Sequence, residues 1–392
     1  MEIPQGNTME HGGKQSPEIG FKFPLSTLKP MDPLIQIVTI KLEARSYPVH
    51  IGENLLEEVG RICRGALLNG RAAIVSDRKV GDLYGQRVSN ALADAGFNVS
   101  THLVNPGEPS KSFEMAERLC EDFARHGVDR QSFVVALGGG VVGDLAGFAA
   151  AIYFRGIPVI QVPTTIMAQV DSSVGGKTAI NLAAGKNLVG AYHQPVAVLA
   201  DTKTLATLGR REWNEGFAEV IKYGVIRERG LLSELKNGTW NLADLVRRCV
   251  KIKASFVEED ERETTGRRAL LNFGHTLGHA IEAVSGYGTL LHGEAVALGM
   301  VAAAHISSER AGLQKTELEE LISVIRRLDL PTELPDRLSR SQILEKVFAD
   351  KKFVNGKIRF VLTPKLGSAI LVDNLTVEDL EFGLSAIDPM RT

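Results

Sequence analysis

The 392-residue sequence has only three cysteines, Cys63, Cys120 and Cys249, far apart and without metal-type spacing. An odd, scattered set excludes a disulfide framework and points to packing residues in a reducing compartment, the cytoplasm. Excess charge of one sign is also missing: 45 Lys and Arg stand against 47 Asp and Glu, a net charge of −2. A nucleic-acid-binding domain carries a strong basic excess, so nucleic acid is not an expected partner. An anionic substrate must then be caught by a local cluster of cations. No apolar run reaches the roughly 18 residues that cross a bilayer, so no membrane partner is expected either. The opening MEIPQGNTME lacks the basic start and apolar stretch of a secretory signal. Residues 1–33 hold five prolines and four glycines without a sustained period, the composition of a disordered extension. No repeat of fixed length runs through the chain.

Against these absences stand 44% hydrophobic residues, 23% charged residues and 39 glycines, the balance of a globular α/β protein. The length exceeds one typical core and predicts two domains. IQIVTIKL (35–42) alternates as a strand does, and AAIVSD (72–77), SFVVAL (132–137), VIQVPTT (159–165) and VAVLAD (196–201) are short apolar runs. NVSTHLVNPGEPSKS (98–112) reads as a strand followed by a polar loop, and 79–96 and 113–125 have helical spacing. Strands apolar on both faces that alternate with helices predict a mainly parallel sheet over 34–208. After about Leu208 the periods become helical, which predicts a mostly α-helical second domain over 209–392, interrupted by a hairpin at 357–373. The catalytic cleft is expected between the two.

Three segments carry chemistry. LGGGVVGDLAGF (137–148) holds a G-x-G-x-x-G at Gly138, Gly140 and Gly143, between an apolar strand and a helix. That context suits a pyrophosphate on a helix N-terminus, although a tight strand-to-helix turn alone explains the glycines equally. The acid that normally follows about 20 residues later is absent; the candidate for the ribose is Asp77, upstream. VDSSVGGKTAINLAAGKN (170–187) supplies Asp171, Lys177, Lys186 and glycines that let backbone approach a ligand. LLNFGHTLGHAIEA (270–283) and LLHGE (290–294) supply three histidines. His275 and His279, four apart, share a helix face, but Thr276 replaces the glutamate of the H-E-x-x-H zinc proteases. A catalytic zinc takes three protein ligands, and spacing alone leaves His275, His279, Glu282, His292 and Glu294 open.

Taken together these segments resemble the 3-dehydroquinate synthase family of sugar phosphate cyclases, within the superfamily of the iron alcohol dehydrogenases. The resemblance implies NAD+ contacts from Asp77, Glu108, Lys111, Gly139, Gly140, Asp144, Thr164, Thr165, Lys186 and Asn187, with Asp201 and Thr207 on the adenine side. It implies Glu219, His275 and His292 as ligands of one Zn2+ or Co2+. Lys177, Lys222, Lys253, Arg268, Asn272, His279 and Lys351 then line the substrate pocket, with Asp171 near the hydroxyls. Arg155 is placed across a homodimer interface, on the partner's phosphate site. The implied reaction starts from a phosphorylated sugar acid, 3-deoxy-D-arabino-heptulosonate 7-phosphate. Transient oxidation by NAD+, phosphate elimination, re-reduction and an intramolecular aldol closure follow, with Lys222 and His279 as proton-transfer candidates. At 204 the chain has threonine where an aromatic often stands. Valiolone-type synthases carry G-A-K-T and D-F-G-H where this chain has GGKT and NFGH. An aminodehydroquinate synthase, a polyol dehydrogenase and a catalytically dead binding protein are the rival readings.

Overall fold

The structure, a computed structural model, describes residues 35–286, 288–349, 353–354 and 357–389. The extension expected over 1–33 and the substrate candidate Lys351 lie outside the described residues.

Nine strands form in the first half: β1 (Gln36–Ile40), β2 (Tyr47–Gly52), β3 (Arg71–Asp77), β4 (Asn98–Val104), β5 (Phe133–Gly138), β6 (Val159–Pro163), β7 (Lys177–Leu182), β8 (Gly185–Tyr192) and β9 (Ala197–Asp201). Seven of them make one sheet in the order β1-β2-β9-β6-β5-β3-β4. All its neighbours are parallel except β1 and β2, which pair antiparallel at one edge. The predicted strands therefore assemble as expected, and the period-two side-chain rule explains their apolar runs. Ala72, Ile74, Phe133, Val135 and Leu137 enter one core; their neighbours Ala73, Val75, Val134 and Ala136 enter another on the opposite face.

From β3 the chain steps one way to β4 and the other way to β5. Their carboxyl ends, Asp77 and Gly138, thus border a topological switch point, the place where open α/β sheets bind ligands. Among the strands of this half, β2, β7 and β8 were not predicted. β2 is buried on both faces and contains Pro48, so it shows no alternation. β7 and β8 form a separate antiparallel hairpin whose polar, glycine-bearing sequence hides its strand character.

Beyond Leu208 helices dominate: Arg210–Ile226, Leu242–Glu259, His275–Ser285, His292–Arg310 and Lys315–Arg327 are the longest. Their apolar faces share a core with Val38, Ile40, Tyr47, Val49 and Ile51 of β1 and β2 and with Val198 and Ala200 of β9. The helical half is thereby packed directly onto the β1 side of the sheet. The hairpin expected late in the chain is present as β11 (Lys357–Lys365) and β12 (Ser368–Leu375), with the short β10 (Phe353–Val354) paired antiparallel to β11.

Candidate active site

At the switch point, Gly139 caps the helix Gly140–Ile152 in extended backbone. A Cβ on Gly139 would stand 3.0 Å from Thr165 Cγ2, and one on Gly140 would stand 3.1 Å from Ser172 Oγ. Backbone is therefore open on this turn only because both positions lack a side chain. Thr164 donates its N–H to Gly138 O at 2.9 Å, and its buried hydroxyl oxygen has no hydrogen-bond partner. Asp77 ends β3 and accepts the N–H of Val80 at 3.0 Å.

Beside this turn the loop that follows β4 meets the β7–β8 hairpin. Lys111, buried, donates to Asp144 Oδ2 at 2.7 Å and to Asn187 Oδ1 at 2.5 Å, with Glu108 Oε1 3.6 Å away. Burial opposes its charge, but Asp144 and Glu108 outweigh that and hold the ammonium protonated above its ordinary range. Asn187 itself adopts a left-handed φ of +56°. Asp201 and Thr207 are placed differently. The Asp201 carboxylate is buried and receives the N–H groups of Asn54, Leu56 and Lys203. The Thr207 hydroxyl meets Tyr84 OH at 2.7 Å. In this structure both side chains hold loops together.

The helix Arg210–Ile226 places Glu219, Lys222 and Tyr223 on one face, as i, i+3 and i+4 spacing requires. All three are buried. His275 Nε2 lies 3.4 Å and His292 Nε2 3.8 Å from Glu219 Oε1. Lys222 is paired with Glu219 and reaches Asp171 Oδ1 at 3.8 Å. The Lys222 ammonium contacts Glu219 Oε2, so that buried oxygen is neutralised by an ion pair. Burial works against ionisation of Glu219, yet Lys222 and His275 prevail and hold the carboxyl well below its ordinary range. His279 completes the histidine cluster, and one nitrogen from each of the three rings lies within 4.8 Å of the others.

Close helix packing makes this convergence possible. A Cβ on Gly299 would fall 2.0 Å from Gly274 O, and one on Gly278 would fall 3.0 Å from Ala295 O. The helices bearing His275 and His292 touch through these glycines, which brings the two imidazole centroids to 5.6 Å.

Cations and one acid extend the site from there. Lys253 lies 3.0 Å from Asp171 Oδ1 and donates to Asp171 O at 2.6 Å. Tyr223 OH donates to Asp171 Oδ1 at 2.5 Å. Burial raises the Asp171 carboxyl, but Lys253 and Lys222 dominate and bring it to about 2. Burial lowers Lys253 to about 8, only partly offset by Asp171. Arg268, also buried, donates to the carbonyls of Glu261 (2.8 Å) and Gly175 (3.4 Å). Gly175 and Gly176, with φ of +97° and +68°, turn the chain into β7, where Lys177 pairs with Glu263. Asn272 ends the 3-10 turn Arg267–Asn272, three residues before His275.

Sequence reasoning missed Tyr223 and Glu263, which no motif marks. It left Glu282 undecided, and the structure puts that carboxylate between Lys186 and His292. Arg155 stands apart. It is exposed at the end of the Gly140–Ile152 helix, makes no ion pair among the described residues, and has a left-handed φ of +71° beside Phe154 at +51°.

Two family models match in tandem, "3-dehydroquinate synthase N-terminal" over residues 101–215 and "3-dehydroquinate synthase C-terminal" over 216–353. The 3-dehydroquinate synthase of Desulforamulus reducens is 47% identical over 351 residues, 88% of this chain and 98% of the relative. Among solved structures, 2-epi-5-epi-valiolone synthase from Streptomyces hygroscopicus, with NAD+ and Zn2+ bound, superposes with a TM-score of 0.80 at 28% identity, covering 90% of this chain and 99% of that one. A 2-deoxy-scyllo-inosose synthase complexed with carbaglucose-6-phosphate, NAD+ and Co2+ has a TM-score of 0.81 at 27% identity, covering 89% and 99%. Both domain matches and near full-length identity well above that of the other cyclases lead to one conclusion: this chain belongs to the 3-dehydroquinate synthase family.

Proposed function

We propose that the sheet half over 34–208 holds NAD+ and the helical half over 209–392 holds a divalent cation and most of the substrate. Together they convert 3-deoxy-D-arabino-heptulosonate 7-phosphate to 3-dehydroquinate and phosphate, a lyase reaction of the shikimate pathway. The observation that carries this is the single polar cluster running from the histidines through Glu219, Lys222 and Asp171 to Lys253.

The residues present fit both groups. For the metal, two imidazole Nε2 atoms face one buried carboxylate, and one nitrogen from each of the three histidine rings lies within 4.8 Å of the others. His275 donates Nδ1–H to Phe273 O at 3.1 Å, which leaves its Nε2 as a lone-pair donor. This favours Glu219, His275 and His292 as ligands of Zn2+ or Co2+ and the more exposed His279 as a substrate-facing group. For NAD+, the open glycine turn at the switch point and the unpaired Thr164 hydroxyl offer the backbone and side-chain groups a dinucleotide needs.

When bound, NAD+ supplies a reversible hydride acceptor and the cation acidifies the neighbouring hydroxyls. The chain's own residues do the rest. Asp171, held ionised, accepts from substrate hydroxyls. Lys253 and Arg268 bind the carboxylate, and Lys177 and Asn272 orient the remaining polar groups. Lys222 is kept protonated above its ordinary range, because Glu219 and Asp171 outweigh its burial, so it acts as a fixed charge and donor. Proton exchange then falls to His279.

Arg155 lends charge to the partner's phosphate site in a homodimer. In support, its segment exposes Ile152 and Phe154, and the hairpin packed on the same helix exposes Leu188 and Tyr192. A cytoplasmic location agrees with three unpaired cysteines, and no helix among the described residues is long and apolar enough to cross a membrane. Incubation with the heptulosonate phosphate and NAD+ tests the activity. Dehydroquinate and phosphate without accumulating NADH are expected; net NADH would instead identify a dehydrogenase.

A further inference from the structure

Glu282 lies on the face of the His275–Ser285 helix that carries His275, seven residues away, and its side chain is 5% exposed. Its two oxygens face different partners. Oε1 accepts from Lys186 Nζ at 2.5 Å, and Oε2 accepts from His292 Nδ1 at 3.2 Å. Lys186 comes from the β7–β8 hairpin beside the switch point, whereas His292 opens the next helix of the helical half. One carboxylate therefore joins the two halves of the molecule at the point where their functional groups meet.

The two ends of His292 have different tasks. A carboxylate oxygen can only accept, so the contact with Glu282 puts the ring proton on Nδ1. That leaves Nε2, 3.8 Å from Glu219 Oε1, as the nitrogen available to a metal. Outer carboxylates that fix a histidine in this way orient the ring and raise its basicity as a ligand. Lys186 meanwhile is pinned by the same group, with Glu108 Oε1 3.9 Å off. We propose that Glu282 is a positioning residue for two subsites at once: it fixes the ligating tautomer of His292 and the ammonium of Lys186 on the cofactor side. It is not itself a metal ligand. The proposal rests on the reading of His292 as a ligand and of Lys186 as a cofactor contact.

Glu282→Gln isolates this role, because an amide keeps the shape but offers an acceptor at one end only. Metal-free protein is titrated with Co2+, followed by its visible absorption, and NAD+ binding to the same metal-free protein is measured by calorimetry. The Co2+ Kd is expected to weaken about 10- to 100-fold. The NAD+ Kd is expected to weaken about tenfold, the loss of one charge-assisted hydrogen bond. Thermal unfolding of the metal-free protein should stay near wild type. If Glu282→Gln does not fold, Glu282→Asp, which retracts the charge by one methylene, is read the same way. A folded variant with either Kd unchanged overturns the proposal. His292→Ala is titrated in parallel: Co2+ binding at wild-type affinity there would overturn the ligand reading itself, whatever Glu282 does.

Discussion

In the proposed function, individual side chains divide into those that hold the metal and those that meet the substrate, and substitutions separate them. His292→Ala is expected to lose both bound metal and turnover while NAD+ binding survives. His279→Ala should retain metal and lose turnover. Metal content by atomic emission together with a product assay checks both. Lys253 gives a pH signature. With its ammonium brought down to about 8 by burial, it is charged for carboxylate binding only below that pH. kcat/KM should therefore fall as pH rises through about 8, and Lys253→Arg should move that fall to higher pH. Stability runs the other way. An unfolded lysine titrates near 10.4, so between about 8 and that value the unfolded chain binds more protons and stability rises with pH. Much at this scale was legible beforehand: the three histidines, Asp171, Lys177 and Lys186 all sit in recognisable strings. Tyr223 and Glu263 were not, because their roles depend on what stands opposite them.

Among the elements, the helix pair His275–Ser285 and His292–Arg310 decides whether the histidines converge. Gly299 is the contact point, since a Cβ there would sit 2.0 Å from Gly274 O and 2.7 Å from Gly278 N, both backbone. Neither atom belongs to a side chain that could rotate away, so the helices must separate. Gly299→Ala is expected to cost about 1–3 kcal/mol, as overpacking of a tight core does. It should also weaken Co2+ binding, because His275 and His292 move apart with their helices. Chemical denaturation and a Co2+ titration read the two effects. The sheet strands were predicted from apolar runs, and the helices from their period. β2 and the β7–β8 hairpin escaped notice for opposite reasons: one is buried on both sides, and the other is polar and half exposed.

For the whole molecule, the proposed homodimer is tested through Arg155. Its guanidinium makes no ion pair among the described residues and sits on a strained left-handed turn. Such strain persists where surrounding structure or function holds it. Mixing inactive Arg155→Ala subunits with inactive Lys177→Ala subunits should restore part of the activity. In a mixed dimer the Arg155→Ala subunit keeps its own lysine and borrows an intact arginine from the partner. Exchange shown by labelled subunits without recovered activity would exclude a shared site, as would a fully active monomer.

The alternation of the apolar strands with helices, the glycine turn after β5 and the histidine spacing are local properties, so the sequence alone determined them. Local period and turn chemistry act within a few residues and need no partner. What only the tertiary structure decided is which groups face each other. Glu219 lies 56 positions before His275, and Asp171 lies 82 before Lys253. No period connects such pairs; they meet because the helical half packs on the β1 edge and two glycine-lined helices close on each other. The charge states follow from the same packing. Lysine neighbours bring the Asp171 carboxyl to about 2 against its burial, and burial brings the Lys253 ammonium to about 8 against its partner; neighbours and burial alike exist only in the folded chain.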